Sequence, residues 1–374
     1  MNLADMLSYA DIHDLGRIAG TYDCECNGHS KNELIQSILT TVSRREIFDS
    51  EVESLSLEDL RFLNSLLFDR RDSFTLEELI ARASQTGFQT DGKETIKRNP
   101  RDAISRFKRR GWLFNGHSLQ TKYLFQIPAD LKRRFNETLT RQFLGKIETT
   151  GEPAVYRDEQ QLILDDISQF LHFIFHQEAQ LTAENYMYKR FLQQILDRMS
   201  VREEPAKGAW RFGYGRMFKE YPNRFSFIYD YCYFQELISE HDQVLSLTEK
   251  GKQFVIAGRA ADLLDVYRFW LRLYKGAVPN MASLAHWVES LSKDWVLADS
   301  LAKLICPLIK PFYYDTPDSI FHQRLLQMMM HLGLLSIGED EQRGKVVRIN
   351  KLGSRIVRGT YVSDDERIEL GQQR

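Results

Sequence analysis

One order of events recurs three times along this chain, and it limits the possible folds more than any other feature. A proline stands where a helix would begin, at Asn99-Pro100, Tyr221-Pro222 and Thr316-Pro317. Proline is favoured at a first helical position because its missing N–H would lack a partner there anyway. Each proline opens an amphipathic run that stops at an apolar cluster: Gly111-Trp112-Leu113-Phe114, Glu236-Leu237-Ile238 and Gly333-Leu334-Leu335. A polar turn and a strand-like return follow, at Tyr123 to Ile127, Val244 to Leu247 and Val346 to Ile349. The last two returns run into Thr248-Glu249-Lys250-Gly251 and Asn350-Lys351-Leu352-Gly353, where Thr248 or Asn350 can cap a further helix by accepting backbone N–H groups.

A helix, an apolar stop and a hairpin, in that order, predict a winged helix: the third helix of a helix-turn-helix followed by its wing. Repetition of the pattern predicts a mainly α chain with small β-hairpin wings, built from tandem winged-helix modules behind an N-terminal helix-loop-helix. The expected boundaries are 1–45 for the helix-loop-helix, 55–150, 155–258 and 259–362 for three winged helices, and 363–374 for a polar tail. A length of 374 residues accommodates these units, and 43% hydrophobic with 27% charged residues is too apolar for general disorder.

Residues 3 to 42 read as two short helices, the first carrying Leu7, Ile12, Leu15, Ile18 and Ala19, the second Leu34, Ile35, Ile38 and Leu39. Ser30 and Glu33 have the spacing of a capping box. The stretches LGRIAG and GHSKNELIQSIL resemble the SAP and Rho N-terminal type of helix-loop-helix. Residues 55 to 360 resemble the winged-helix region on the amino-terminal side of bacterial XPB-like helicases and the helicase-associated proteins that share it. That resemblance is carried by Leu57-Glu58-Asp59-Leu60 through Leu79, by Ala103 to Phe114, by Ile127-Pro128-Ala129-Asp130-Leu131 and by the two Gly-ended caps. It implies an accessory role beside a helicase or the transcription machinery. Unwinding is not implied, because the chain has no room for paired motor domains and no ATPase motif.

Several chemistries are not expected. The nearest approach to a phosphate loop, Gly87 to Gly92-Lys93-Glu94, has Glu94 where a Mg²⁺-holding hydroxyl belongs, and a helical Leu79 to Ala83 where a strand should precede it. His172 and His176 share a helix face but supply only two ligands; Cys24, Cys26 and His29 depart from knuckle spacing and read as a small buried thiol pair. Asp158, Glu159, Asp165 and Asp166 cluster where a helix dipole stabilises acidic side chains. We therefore expect no metal, no cofactor and no enzymatic activity. With four cysteines, no long apolar run and no basic-then-apolar N-terminus, the expected location is cytoplasmic, without membrane contact.

Charge is distributed unevenly. The formal net charge is −2, yet residues 46–80 hold ten acidic and three basic side chains, and residues 93–134 twelve basic and three acidic. At 100° per residue, the helix opened by Pro100 places Ala103, Ile104 and Phe107 on a core stripe and turns Asp102, Ser105, Arg106 and Arg109 outward, with Arg101 and Lys108 at its flanks. The expected nucleic-acid-binding residues are Lys97, Arg98, Arg101, Ser105, Arg106 and Arg109, with Lys93, Lys132, Arg133 and Arg134 extending the contact to duplex or forked DNA. The other two third helices offer Arg224 opposed by Asp230, and Arg324, too little charge for several phosphates. Eleven aromatics between Trp210 and Phe234 read mainly as a core face, with Trp210, Phe212 and Tyr214 the expected exposed members for base stacking. The alternative expectation is a protein adapter whose winged helices dock on a helicase or polymerase.

Overall fold

The computed structural model describes residues 1–69, 71–88, 99–206, 211–360 and 368. The chain divides into two compact units, Met1–Lys146 and Ile147–Arg374, mainly helical with small antiparallel sheets.

The first unit runs α1 (Leu3–Tyr9), α2 (Ile12–Thr21), α3 (Lys31–Ser43), α4 (Arg45–Glu53), α5 (Leu57–Leu67), α6 (Leu76–Thr86), α7 (Pro100–Arg109), β1 (Phe114–Asn115), β2 (Phe125–Gln126) and α8 (Ala129–Leu144). The first of the two expected N-terminal helices is split, because Asp11 leaves helical geometry and its carboxylate caps a new helix at the His13 N–H, 2.7 Å away. Ser30 caps α3 as anticipated, but the Glu33 carboxylate reaches the Asn27 N–H rather than closing the reciprocal pair. The aromatic core of the unit is Trp112, packed edge-on against Phe107 and Phe135 at 5.5 and 4.8 Å, with Phe48 beside them. Helices α1 to α4 share this core, as α1 and α4 pack on α8 and α2 on α7.

The second unit runs β3 (Val155–Arg157), α9 (Leu162–His176), β4 (Ala179–Gln180), α10 (Lys189–Leu196), α11 (Asn223–Phe234), β5 (Ile238–His241), β6 (Val244–Leu247) and α12 (Glu249–Ile256). It continues with α13 (Leu263–Tyr274), α14 (Met281–Leu291), β7 (Val296–Leu297), α15 (Ala298–Ile305), α16 (Pro317–Ser319), a π-helical stretch over Ile320–Leu326, α17 (Gln327–His331), β8 (Leu335–Asp340), β9 (Gly344–Ile349) and α18 (Lys351–Gly359).

One topology occurs three times: helix, short strand, two helices, hairpin, with the short strand pairing on the last strand. In the second unit the sheet orders are β4-β6-β5 and β3-β8-β9-β7, so β4 joins β6 and β7 joins β9. In the first unit a single bridge replaces the short strand, Phe74 and Phe125 exchanging backbone hydrogen bonds of 2.9 and 2.7 Å. The starts of the third helices differ in detail. Asn99 caps the Arg101 N–H ahead of Pro100, and Thr316 caps the Ser319 N–H ahead of Pro317. Pro222, by contrast, is itself the residue before α11, whose Arg224 and Phe225 N–H groups are received by the Glu203 carboxylate at 2.9 and 2.8 Å.

The stops are alike in all three. Gly111, Glu236 and Gly333 take positive φ of 64°, 57° and 66°. Their N–H groups bond to the carbonyls of Lys108, Tyr233 and Met330. The next residues, Trp112, Leu237 and Leu334, bond back to Phe107, Cys232 and Met329, completing three Schellman motifs that bury an apolar residue just past each helix. In the second unit the following helix then seats on that residue. The carbonyls of Leu237 and Leu334 accept the Thr248 and Asn350 N–H groups, while the side chains of those caps accept the N–H of Gly251 and Gly353 at 3.0 and 2.7 Å.

The two glycines are required by close approach rather than by a left-handed backbone. A Cβ on Gly251 would lie 2.0 Å from the Leu237 oxygen, and one on Gly353 2.2 Å from that of Leu334. Gly251→Ala and Gly353→Ala should each lower stability by about 1–3 kcal/mol, the usual cost of overpacking against atoms that cannot yield. Glu236→Gly should raise it by up to about 1 kcal/mol, since a left-handed non-glycine residue is strained. Urea unfolding midpoints of the three variants check both signs, and unchanged midpoints for the two alanine variants would refute the junction described.

Candidate nucleic-acid interface

Helix α7 forms because Asn99 and Pro100 start it and because Ile104 and Phe107, both buried, anchor one face; burial of such side chains contributes about 1.5–3 kcal/mol each. Its opposite face carries Arg101, Ser105, Lys108 and Arg109, and of these Arg101 and Arg109 are exposed. Arg109 donates to the Ser105 hydroxyl at 3.3 Å, and the Lys108 ammonium donates to the Asn115 side chain of β1 at 3.1 Å, tying the helix to the hairpin. Among the described residues, no carboxylate pairs with Arg101, Lys108, Arg109 or the hairpin's Lys122. Arg109 thus projects as the helical wheel anticipates, Arg101, expected at a flank, is exposed as well, and Ser105 sits between them. Lys93, Lys97 and Arg98 lie outside the described residues.

Arg106 does not face outward. Its guanidinium forms two hydrogen bonds with the buried Asp59 carboxylate of α5, at 3.0 and 2.6 Å, and that pairing holds its pKa above the ordinary value. The wheel turns Arg106 outward, but the acidic residue that claims it lies 47 positions away. Other members of the basic stretch are claimed in the same way. Arg110 pairs with Glu51, and Lys132 with Asp72. Arg134 donates to the last two carbonyls of α3, at Val42 and Ser43, and to that of Arg44 just beyond, and covers the Phe48 ring at 4.2 Å. Arg133 stays exposed beside Glu137. Lys132 and Arg134 therefore do not extend the candidate interface: Glu51, Asp59 and Asp72 of the acidic stretch are counterions of Arg110, Arg106 and Lys132.

The corresponding helices of the second unit present no comparable face. In α11 every residue from Arg224 to Cys232 is buried. Arg224 is not opposed by Asp230. It pairs with Glu159 and Asp166, and Glu159 also receives His331 at 3.0 Å and Arg157 at 2.6 Å. Burial opposes ionisation of Glu159, but these partners win and hold its pKa below the usual carboxylate range. Within the acidic cluster, Glu159 and Asp166 thus belong to an ion network, while Asp165 lies in the first turn of α9. Asp230 receives the Arg216 N–H at 2.8 Å, and its burial pushes the carboxyl up to about 7. Arg324 is equally committed, to Asp315 at 2.9 Å and to the Phe212 carbonyl.

Among the expected stacking aromatics, Tyr214 is buried, Phe212 is half-buried, and Trp210 lies outside the described residues. Missed by sequence reasoning were Tyr313 and Tyr314, 83% and 70% exposed on the turn that precedes α16; a Tyr-Tyr pair flanked by Pro311 and Pro317 was the available signal. Cys24 and Cys26 are half-buried free thiols, not a buried pair, and His172 and His176 are exposed. Among the described residues, no group of three or more His, Cys, Asp or Glu side chains is placed to hold a metal ion, and no helix is long and apolar enough to cross a membrane. No protein-family model matches the chain, and no curated protein matches it in sequence.

Two of the three arginines on α7, Arg106 and Arg109, should respond differently to removal. Arg106→Ala strands a buried carboxylate and should cost about 2 kcal/mol, as is usual for removing a charged hydrogen-bond partner. Arg109→Ala should change stability by no more than about 0.5 kcal/mol. Thermal unfolding of the two variants side by side checks the contrast, and equal melting temperatures would refute the assignment.

Proposed function

We propose that the chain is a non-enzymatic DNA-binding accessory protein built from tandem winged-helix modules. In each, the helix that opens at or beside the proline is the third helix, and the hairpin after it is the wing. The observation that carries the reading is the stripe Arg101, Ser105, Lys108 and Arg109 on α7, the one third helix that keeps uncompensated cations on its outer face among the described residues. In helix-turn-helix recognition that face meets a groove, while flanking cations meet phosphates. The third helices of the second unit are occupied by packing and internal ion pairs, which favours a supporting or protein-facing role for that unit. The exposed Tyr313 and Tyr314 favour the second reading, an adapter surface for a helicase or transcription-machinery partner, as the resemblance to helicase-associated proteins also suggests.

Counterion release separates the two readings, because each phosphate neutralised adds about 0.9 to the log–log salt slope on duplex DNA. Arg101→Ala/Arg109→Ala should weaken binding to duplex of any sequence and reduce that slope by about two, with the melting temperature retained. Fluorescence-anisotropy titrations at several salt concentrations measure both quantities. Undiminished affinity in the folded double variant would reject the DNA reading and leave the adapter.

A further inference from the structure

The hairpin beside α7 is unusual in what it offers to solvent. Its tip presents Leu119, 86% exposed, and Tyr123, 73% exposed, among the most exposed large apolar side chains of the first unit. They are held in place rather than hanging free. Ser118 and Thr121 bond reciprocally through side chains and backbone, and the Lys122 N–H closes on the Ser118 carbonyl at 2.8 Å. Asn115 donates to the Lys122 carbonyl. Gly116 lies so close to Thr121 that a Cβ there would fall 2.4 Å from its oxygen atoms. The Lys122 ammonium covers the Tyr123 ring at 4.7 Å, and Lys108 joins the base of the hairpin to the cationic stripe.

A wing that reads a minor groove needs cations or polar groups at its tip, whereas apolar side chains act on nucleic acid by standing against base faces. In an intact duplex those faces are covered by their neighbours; they are open at an end or a fork. We propose that Leu119 and Tyr123 form a wedge that stacks on the terminal base pair of a DNA end or forked junction while Arg101, Lys108, Arg109 and Lys122 hold the adjoining phosphates. This assigns the substrate class of the interface and rests on the DNA reading above. Complementarity of charge around the apolar tip selects DNA over an uncharged apolar partner.

The test compares three DNAs of equal duplex length: a fork, a blunt duplex, and a dumbbell whose two ends are closed by loops. The full chain should bind the first two about tenfold more tightly than the dumbbell, the scale of one stacked base. Leu119→Ser/Tyr123→Ser, which alters only exposed positions, should bring fork and blunt duplex down to the dumbbell's affinity and leave the dumbbell unchanged. A parent that binds the dumbbell as tightly as the fork overturns the wedge, as does a variant that keeps the preference for ends or that loses all three DNAs equally. Arg101→Ala/Arg109→Ala is run alongside: its loss of dumbbell affinity reports the cationic stripe independently, so the wedge can fail while DNA binding stands. Absence of binding to any of the three sinks both.

Discussion

Each third helix has to end abruptly and hand the chain to a strand running back across it, and one backbone device accomplishes this throughout. A single left-handed residue, Gly111, Glu236 or Gly333, lets two N–H groups return to the last turn. The residue after it is thereby driven into the core, and in the second unit its carbonyl becomes the seat of the next helix. Hairpin direction, strand pairing and the position of α12 and α18 all follow from that reversal. Two of the three positions hold glycine, the residue that takes this conformation without steric cost. Glu236 shows that packing of Leu237 is strong enough to impose it on a residue with a side chain.

Electrostatics divides the molecule differently. The two charged blocks of the first unit partly pair with each other, through Arg106, Arg110 and Lys132, and among the described residues Arg101, Lys108, Arg109 and Lys122 keep their charge without a carboxylate partner. In the second unit the charges are deeper: Arg224 and Asp166 are almost wholly buried. Isolated, either would be very costly to desolvate; together with Glu159, Arg157 and His331 they satisfy most of one another's bonding capacity, and their demand for mutual geometry fixes how α9, α11 and α17 meet.

What could be read from the sequence was whatever depended on local stereochemistry. Pro100, Pro317, Thr248, Asn350 and the glycine stops announce helix ends because caps and turns are decided within a few residues. The buried face of α7 was legible from periodicity for the same reason. Hidden were the pairings decided by residues far away in the chain: Asp59 for Arg106, Glu159 for Arg224 and His331, the Phe212 carbonyl for Arg324. A helical wheel gives the direction of a side chain, but it cannot tell solvent from a carboxylate brought there by another element. The exposed tip of Leu119 and Tyr123 was invisible for a related reason, since apolar residues in a hairpin are ordinarily assigned to the core.

Strand β3 and Glu159 precede α9 in the chain, but β3 pairs with β8 and Glu159 receives His331, both belonging to the segment that ends the second unit. The stretch leading into one repeat is thus structurally part of another. A cut between the repeats, anywhere around residue 258, would leave one fragment with an unpaired strand and a buried carboxylate short of a partner, and the other with a raw sheet edge. Although the repeats look like separable beads along the sequence, Ile147–Arg374 is interlocked.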